Sequence, residues 1–152
     1  MAGLDAKNYM VTNPVRECGA NLNVKGITLP TYTYLSNQLV PNCNVYLEIS
    51  WVYQMPEPAV VIPKVHAHPY EQITMLMGSD PSRPEYLGGE VESTFDGHAH
   101  TINKSNVIFI PKNVEHGHLT WKKFERPHMM MSLMLGTGSF WQANPGALNE
   151  QK

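Results

Sequence analysis

The chain has 152 residues, of which 42% are apolar and 16% charged, with a formal net charge of −2. That length suits one domain able to bury roughly two-thirds of its unfolded surface. The charge balance excludes a nucleic-acid or anionic-membrane binder, because both partners call for a basic patch. Lys122-Lys123 is the one adjacent basic pair and reads as a solvated strand end.

The N-terminus lacks the charged-then-apolar profile of a signal peptide, and no apolar run reaches the length of a membrane span. A cytoplasmic protein is expected, with Cys18 and Cys43 as free thiols. Twelve prolines and 11 glycines punctuate short apolar segments, a pattern that suits many short strands. No amphipathic helix and no repeat stands out.

Residues 1–40 read as an N-terminal arm, with strand propensity at Thr31–Leu35. From Val45 to Gln54 the sequence alternates, with Val45, Leu47, Ile49, Trp51 and Tyr53 as the expected core face. Met55-Pro56-Glu57-Pro58 reads as a rigid turn. Ala59 to His68 is the next strand, with Pro63 at a bulge or edge. Pro69-Tyr70 breaks it, and Glu71 to Met77 resumes as strand.

A loop over residues 78–90 leads to a hairpin whose turn is Asp96-Gly97, a strong hairpin signal. His98 and His100 on its second arm are expected to face solvent. Val107–Ile110 is a short strand ended by Pro111, and His116–Trp121 and His128–Leu135 form an antiparallel pair. Residues 141–152 form a tail, with Phe140 and Trp141 expected to pack back on the body. The class is all-β, a sandwich or closed barrel over residues 41–140.

Two segments carry chemistry. His66 and His68 are two apart on a strand, so both imidazoles point to one face. After the Pro69 break, Gln72 can fold back beside them, and Glu71 is the competing oxygen donor. His116, following the Pro111 turn, supplies a third imidazole if its strand lies alongside. The expected site is one divalent transition metal (Zn, Fe, Mn, Ni or Co), since mixed nitrogen and oxygen donors suit all five.

His118, two residues past His116, is expected on the same side as a proton-moving group, with Glu115 as the other candidate. Arg126 and Glu48 stand as charges that would orient a substrate, and Trp51, Tyr53 and Tyr70 as aromatics near a mouth. Met130, Ser132 and Met134 share a strand face with His128. Phosphate loops, serine elbows and Cys-His pairs are absent from the sequence.

These segments resemble the two motifs of the cupin superfamily. The first reads Gly, five residues, His-x-His, three or four residues, Glu, six residues, Gly. Here His66-Ala67-His68 is followed by Gln72 and Gly78, with Val60 in place of the leading glycine. The second reads Gly, five residues, Pro-x-Gly, two residues, His, three residues, Asn. Pro111 and His116 match it, while Ser105, Asn113 and Thr120 depart from it. Asn113 stands where a left-handed backbone is required, which Asn tolerates.

The resemblance implies a double-stranded β-helix (jelly-roll barrel) and a metal held by His66, His68, Gln72 and His116. It also implies a small-molecule ligand and a homodimer. The expected function is a metal-dependent isomerase, lyase or dioxygenase acting on a keto-sugar, diketone or related oxygen-rich molecule. The alternative is a non-catalytic binding or sensing cupin.

Overall fold

A computed structural model describes residues 5–20 and 22–143. It is nearly all strand. A single 3-10 turn at Ala6–Tyr9 is followed by β1 (Val15–Arg16), β2 (Lys25–Ile27), β3 (Tyr32–Leu35) and β4 (Val45–Glu57). Next come β5 (Val60–His66), β6 (Gln72–Gly78), β7 (Tyr86–Phe95), β8 (His98–Lys104) and β9 (Asn106–Ile110). The chain closes with β10 (His116–Phe124), β11 (His128–Leu135) and a single helical turn, α1 (Phe140–Ala143). Among the described residues no helix is long and apolar enough to cross a membrane.

Two antiparallel sheets face each other. The larger runs β1-β3-β4-β11-β6-β9, with β2 also on β4, and the smaller runs β5-β10-β7-β8. The N-terminal segment packs on the body of the fold. Its three short strands extend the larger sheet beyond β4.

The Asp96-Gly97 hairpin forms as expected, with φ of 49° and 74°, the double left-handed turn that matches strand twist. His98 and His100 lie exposed on β8.

Several expectations are corrected. Strand β4 runs on to Glu57, through the Pro56 turn foreseen at its end. Strand β7 starts at Tyr86, inside the foreseen loop, and Gly88 carries a φ of 83° there. Phe140 packs against Tyr46, with ring centroids 6.2 Å apart, but Trp141 is 84% exposed. The rest of the tail lies outside the described residues.

The largest correction concerns β4. Its buried face is Tyr46, Glu48, Ser50 and Val52, and its outer face carries Leu47, Ile49, Trp51 and Tyr53. The more apolar phase points outward, and of the inner phase Glu48 lines the cavity described below.

Cross-strand register divides the inside of the larger sheet into four rows. At one end lie Val52–His128–Gly78 and Ser50–Met130–Leu76, of which Val52, Met130 and Leu76 belong to the main apolar cluster, with Trp121, Val91 and Leu87 from the facing sheet. The next row is polar over Glu48, Ser132 and Thr74 and ends on Ile108. The other end row is Tyr46, Met134, Gln72 and Ile110.

A candidate metal centre

Strand pairing brings the two histidine segments together. His116, the first residue of β10, is the register partner of His66, the last of β5. His68 lies just past β5, where the Asn113 N–H donates to its carbonyl at 2.9 Å and ties the two motif loops to each other. Asn113 adopts the left-handed backbone anticipated for it, with φ of 60°. The ring centroids of His66 and His116 are 4.4 Å apart, and those of His68 and His116 4.6 Å apart. One ligand nitrogen from each of the three lies within 4.8 Å of the others.

The hydrogen bonds fix which nitrogen is available. His68 Nδ1 lies 3.0 Å from the Tyr70 carbonyl and His116 Nδ1 2.9 Å from the Val114 carbonyl. His66 Nδ1 makes a longer contact of 3.4 Å to the Lys64 carbonyl. A carbonyl oxygen only accepts, so a neutral ring in this setting carries its proton on Nδ1 and leaves Nε2 as a bare lone pair. This is the tautomer that a metal-ligating imidazole needs.

His116 Nε2 is buried and meets no hydrogen-bond partner among the described residues. His68 Nε2 faces Gln72 Oε1 at 2.8 Å while the Gln72 amide N–H donates to Thr74 Oγ1 at 2.8 Å. Two acceptors at that distance need either a proton or a cation between them. The donor set thus fits a divalent ion.

Burial pushes the His116 imidazole down to about 4, and the neighbouring His66 and His68 push it the same way. The ring stays neutral and able to bind a metal at ordinary pH. Tyr70 stacks on His68, with ring centroids 3.9 Å apart and planes within 8°, and its hydroxyl donates to the Ala143 carbonyl. The helical turn at the C-terminal end thereby braces one imidazole.

The two oxygen-donor candidates face different ways. Gln72 is buried beside His68, whereas the Glu71 carboxylate lies 3.5 Å from Lys112 Nζ. A cavity of about 60 Å³ opens next to the imidazoles, walled by His66, Gln72, His116, Glu48, Thr74 and Ser132 among others.

His118 does not share the face of His116. Gly117 and His118 both carry positive φ, 117° and 53°, and the register with β5 slips between Gly117 and Leu119. The bulge inverts the alternation, so Leu119 rather than His118 points into the core. A Cβ on Gly117 would stand 2.7 Å from the Lys64 carbonyl oxygen and 3.0 Å from His66 Nδ1, so the site requires glycine there.

Glu115 is exposed, and neither it nor His118 lines the cavity. Arg126 is spent on Asp80, at 3.0 Å. Trp51 and Tyr53 lie on the outside of the sheet, so that of these three aromatics only Tyr70 reaches the imidazoles, while Phe95 lines the cavity itself. Glu48 does line the cavity. Sequence reasoning also missed His128, whose indole partner Trp121 sits seven residues upstream with no motif linking the two.

No known family profile matches the sequence, and no curated protein resembles it closely enough to count. Solved structures do match. An oxalate oxidase in complex with the substrate analogue glycolate superposes with a TM-score of 0.53 at 15% identity, over 95% of this chain and 64% of that one. A predicted oxalate decarboxylase from Thermotoga maritima gives a TM-score of 0.51 at 15% identity, over 84% and 95%. An RmlC-like cupin from Shewanella frigidimarina gives 0.48 at 14% identity, over 85% and 96%. At such identities the likeness is one of fold. The chain has the cupin fold, with His66, His68 and His116 gathered at a candidate metal site.

Proposed function

We propose that the protein is a metal-dependent cupin enzyme acting on a small oxygen-rich substrate, a keto-sugar, diketone or related molecule. His66, His68, Gln72 and His116 would hold the ion. The observation that carries this reading is the convergence of three imidazoles, two of them donating Nδ1–H to backbone carbonyls at 2.9–3.0 Å, on one spot. A divalent ion bound there supplies Lewis acidity, which polarises a carbonyl or enolate oxygen.

The residues of the chain do the rest. Tyr70 and the Val114 carbonyl hold two rings in orientation, and Ile62, Ile108 and Leu119 give the cavity an apolar wall. Gln72 brings an oxygen donor without charge, so the three imidazoles and amide leave both positive charges of the ion uncompensated.

Metal analysis and turnover assays test this together. Purified protein is expected to hold about one zinc, iron, manganese, nickel or cobalt ion per chain and to convert one member of a keto-sugar and diketone panel. Protein without affinity for any of these ions would overturn the metal site. A ligand bound and recovered unchanged would favour the second reading, a binding or sensing cupin. That alternative draws on the position of His118 and Glu115, neither of which lines the cavity.

The proposal extends to a homodimer. Two cross-strand rows on the outside of the larger sheet, Leu47–Leu133–Ile73–Phe109 and Ile49–Met131–Met75–Val107, hold no charged residue. Val107 and Phe109 are more than half exposed. A second copy with the same face buries both. Sedimentation is expected to give a dimer that Phe109→Lys dissociates; a monomeric wild type would remove this part.

A further inference from the structure

The cavity wall carries one ionisable side chain besides the imidazoles. Glu48 on β4 is buried in the polar row with Ser132 and Thr74, one row from Gln72 and in the sheet facing His66 and His116. Thr31 Oγ1 donates to its Oε2 at 2.9 Å, and the Cys18 thiol hydrogen-bonds the same carboxyl from the N-terminal segment. Both of those partners are neutral donors.

The ionisable groups around Glu48 are Glu17 and Cys18 from the N-terminal segment, Tyr46 on its own strand, and Tyr70. All four are acids. Among the described residues no lysine or arginine lines the cavity. Burial pushes the Glu48 carboxyl toward its protonated form, and Glu17 pushes the same way, while the Cys18 and Thr31 hydrogen bonds pull back.

A buried acid with no counter-charge, on the wall of a cavity whose donor set calls for a cation, has an electrostatic role open to it. Resting on the metal-site reading above, we infer that Glu48 is the acidic partner of the imidazole cluster. It holds its proton while the cavity contains no cation and releases it to solvent when a divalent cation enters. The negative charge that Gln72 withholds then reaches the site from the facing sheet, and the local charge falls from 2+ to 1+. The same group is afterwards a carboxylate inside the cavity, able to take a proton from a bound ligand. If Glu48 merely tethered the N-terminal segment through Thr31 and Cys18, none of this would respond to the ion.

Calorimetric titration of the full chain with Zn²⁺, in buffers of differing ionisation enthalpy at near-neutral pH, counts the protons released. Wild type is expected to release about one more proton per ion than Glu48→Gln, and the pH slope of its log affinity to be steeper by about one. Zinc affinity should fall about tenfold or more in the variant, as a nearby countercharge is lost. Equal proton release and equal affinity would overturn the role of Glu48 while leaving the metal site standing. Absence of zinc binding by wild type would instead defeat the metal site, and the inference with it.

Infrared spectroscopy decides the matter without relying on the variant's folding. Zinc-free wild type is expected to show the carbonyl stretch of a protonated carboxyl, resolved by ¹³C-carboxyl glutamate labelling, and to lose it on saturation with zinc. A spectrum lacking that band, or a band that zinc leaves in place, refutes the inference.

Discussion

His116 and His128 invite comparison, because one strand helps to determine the state of both. Each donates its Nδ1–H to a backbone carbonyl two residues earlier, at 2.9 Å, and burial pushes each imidazole down. They differ at the second nitrogen. His128 Nε2 accepts the indole N–H of Trp121 at 2.9 Å, with the two rings stacked at 6.2 Å and 11°. His116 Nε2 points at two other imidazoles and finds no donor. A buried histidine becomes a metal ligand or a structural pillar according to what meets that lone pair, and β10 supplies both answers, His116 at one end and Trp121 near the other.

Removing a ligand should break the comparison most sharply. His68→Ala or His116→Ala is expected to weaken zinc binding by more than about a hundredfold, roughly one ligand's share of a multidentate site. Metal content after dialysis and chelator competition would show it; unchanged affinity would remove that residue from the site.

Trp121→Phe attacks the other histidine. It leaves His128 Nε2 buried without a donor and opens a small void, for an expected loss of about 2–4 kcal/mol in urea unfolding of the metal-free protein. Zinc stoichiometry should not change. A fall in stoichiometry would mean that the two histidines are not independent.

Zinc at one hundred times its dissociation constant should stabilise wild type by about 2.7 kcal/mol, and Trp121→Phe by the same increment. His68→Ala should gain less than about 0.4 kcal/mol at that concentration. Equal stabilisation of all three would place the ion elsewhere.

The smallest expected effect is on pH. Both imidazoles titrate below the ordinary histidine value when folded, so the unfolded chain takes up protons first as pH falls. Stability of the metal-free protein should therefore be complete above about pH 6.5 and decline below it, toward about 4 for His116. A flat profile across that window would show that neither ring resists protonation.

Much of this was legible in the sequence, and the parts that were not share a cause. Alternation, the Asp96-Gly97 turn and the spacing of His66, His68 and His116 are local signals, and the backbone honours them. The core face of β4 was read inverted. Apolar residues are usually a sound guide to the inside, but here Glu48 and Ser50 are inside and Trp51 and Tyr53 are out. His118 was misplaced because a bulge, invisible in residue type except for Gly117, shifts the phase of the strand between His116 and Leu119. Arg126 and Glu48 looked alike as isolated charges; Asp80 claims one, and the fold of the N-terminal segment seals in the other. Sequence leaves Gln72 and Glu71 as competing oxygen donors, and the fold buries Gln72 beside His68 while setting Glu71 against Lys112.

The bulge at Gly117 and His118 also has a bearing on how this protein can change. Upstream of it, His116 is keyed to His66 and the Pro111 turn; downstream, Leu119 and Trp121 are keyed to the apolar cluster. The slip lets the two halves of β10 keep separate phases, like two gears on one shaft joined by a clutch. Adjustments to the mouth of the cavity need not be transmitted to the packed end, and a substitution that tightens the packed end need not re-aim the imidazole. New chemistry at the rim can therefore be explored on a foundation that stays fixed, provided residue 117 remains glycine.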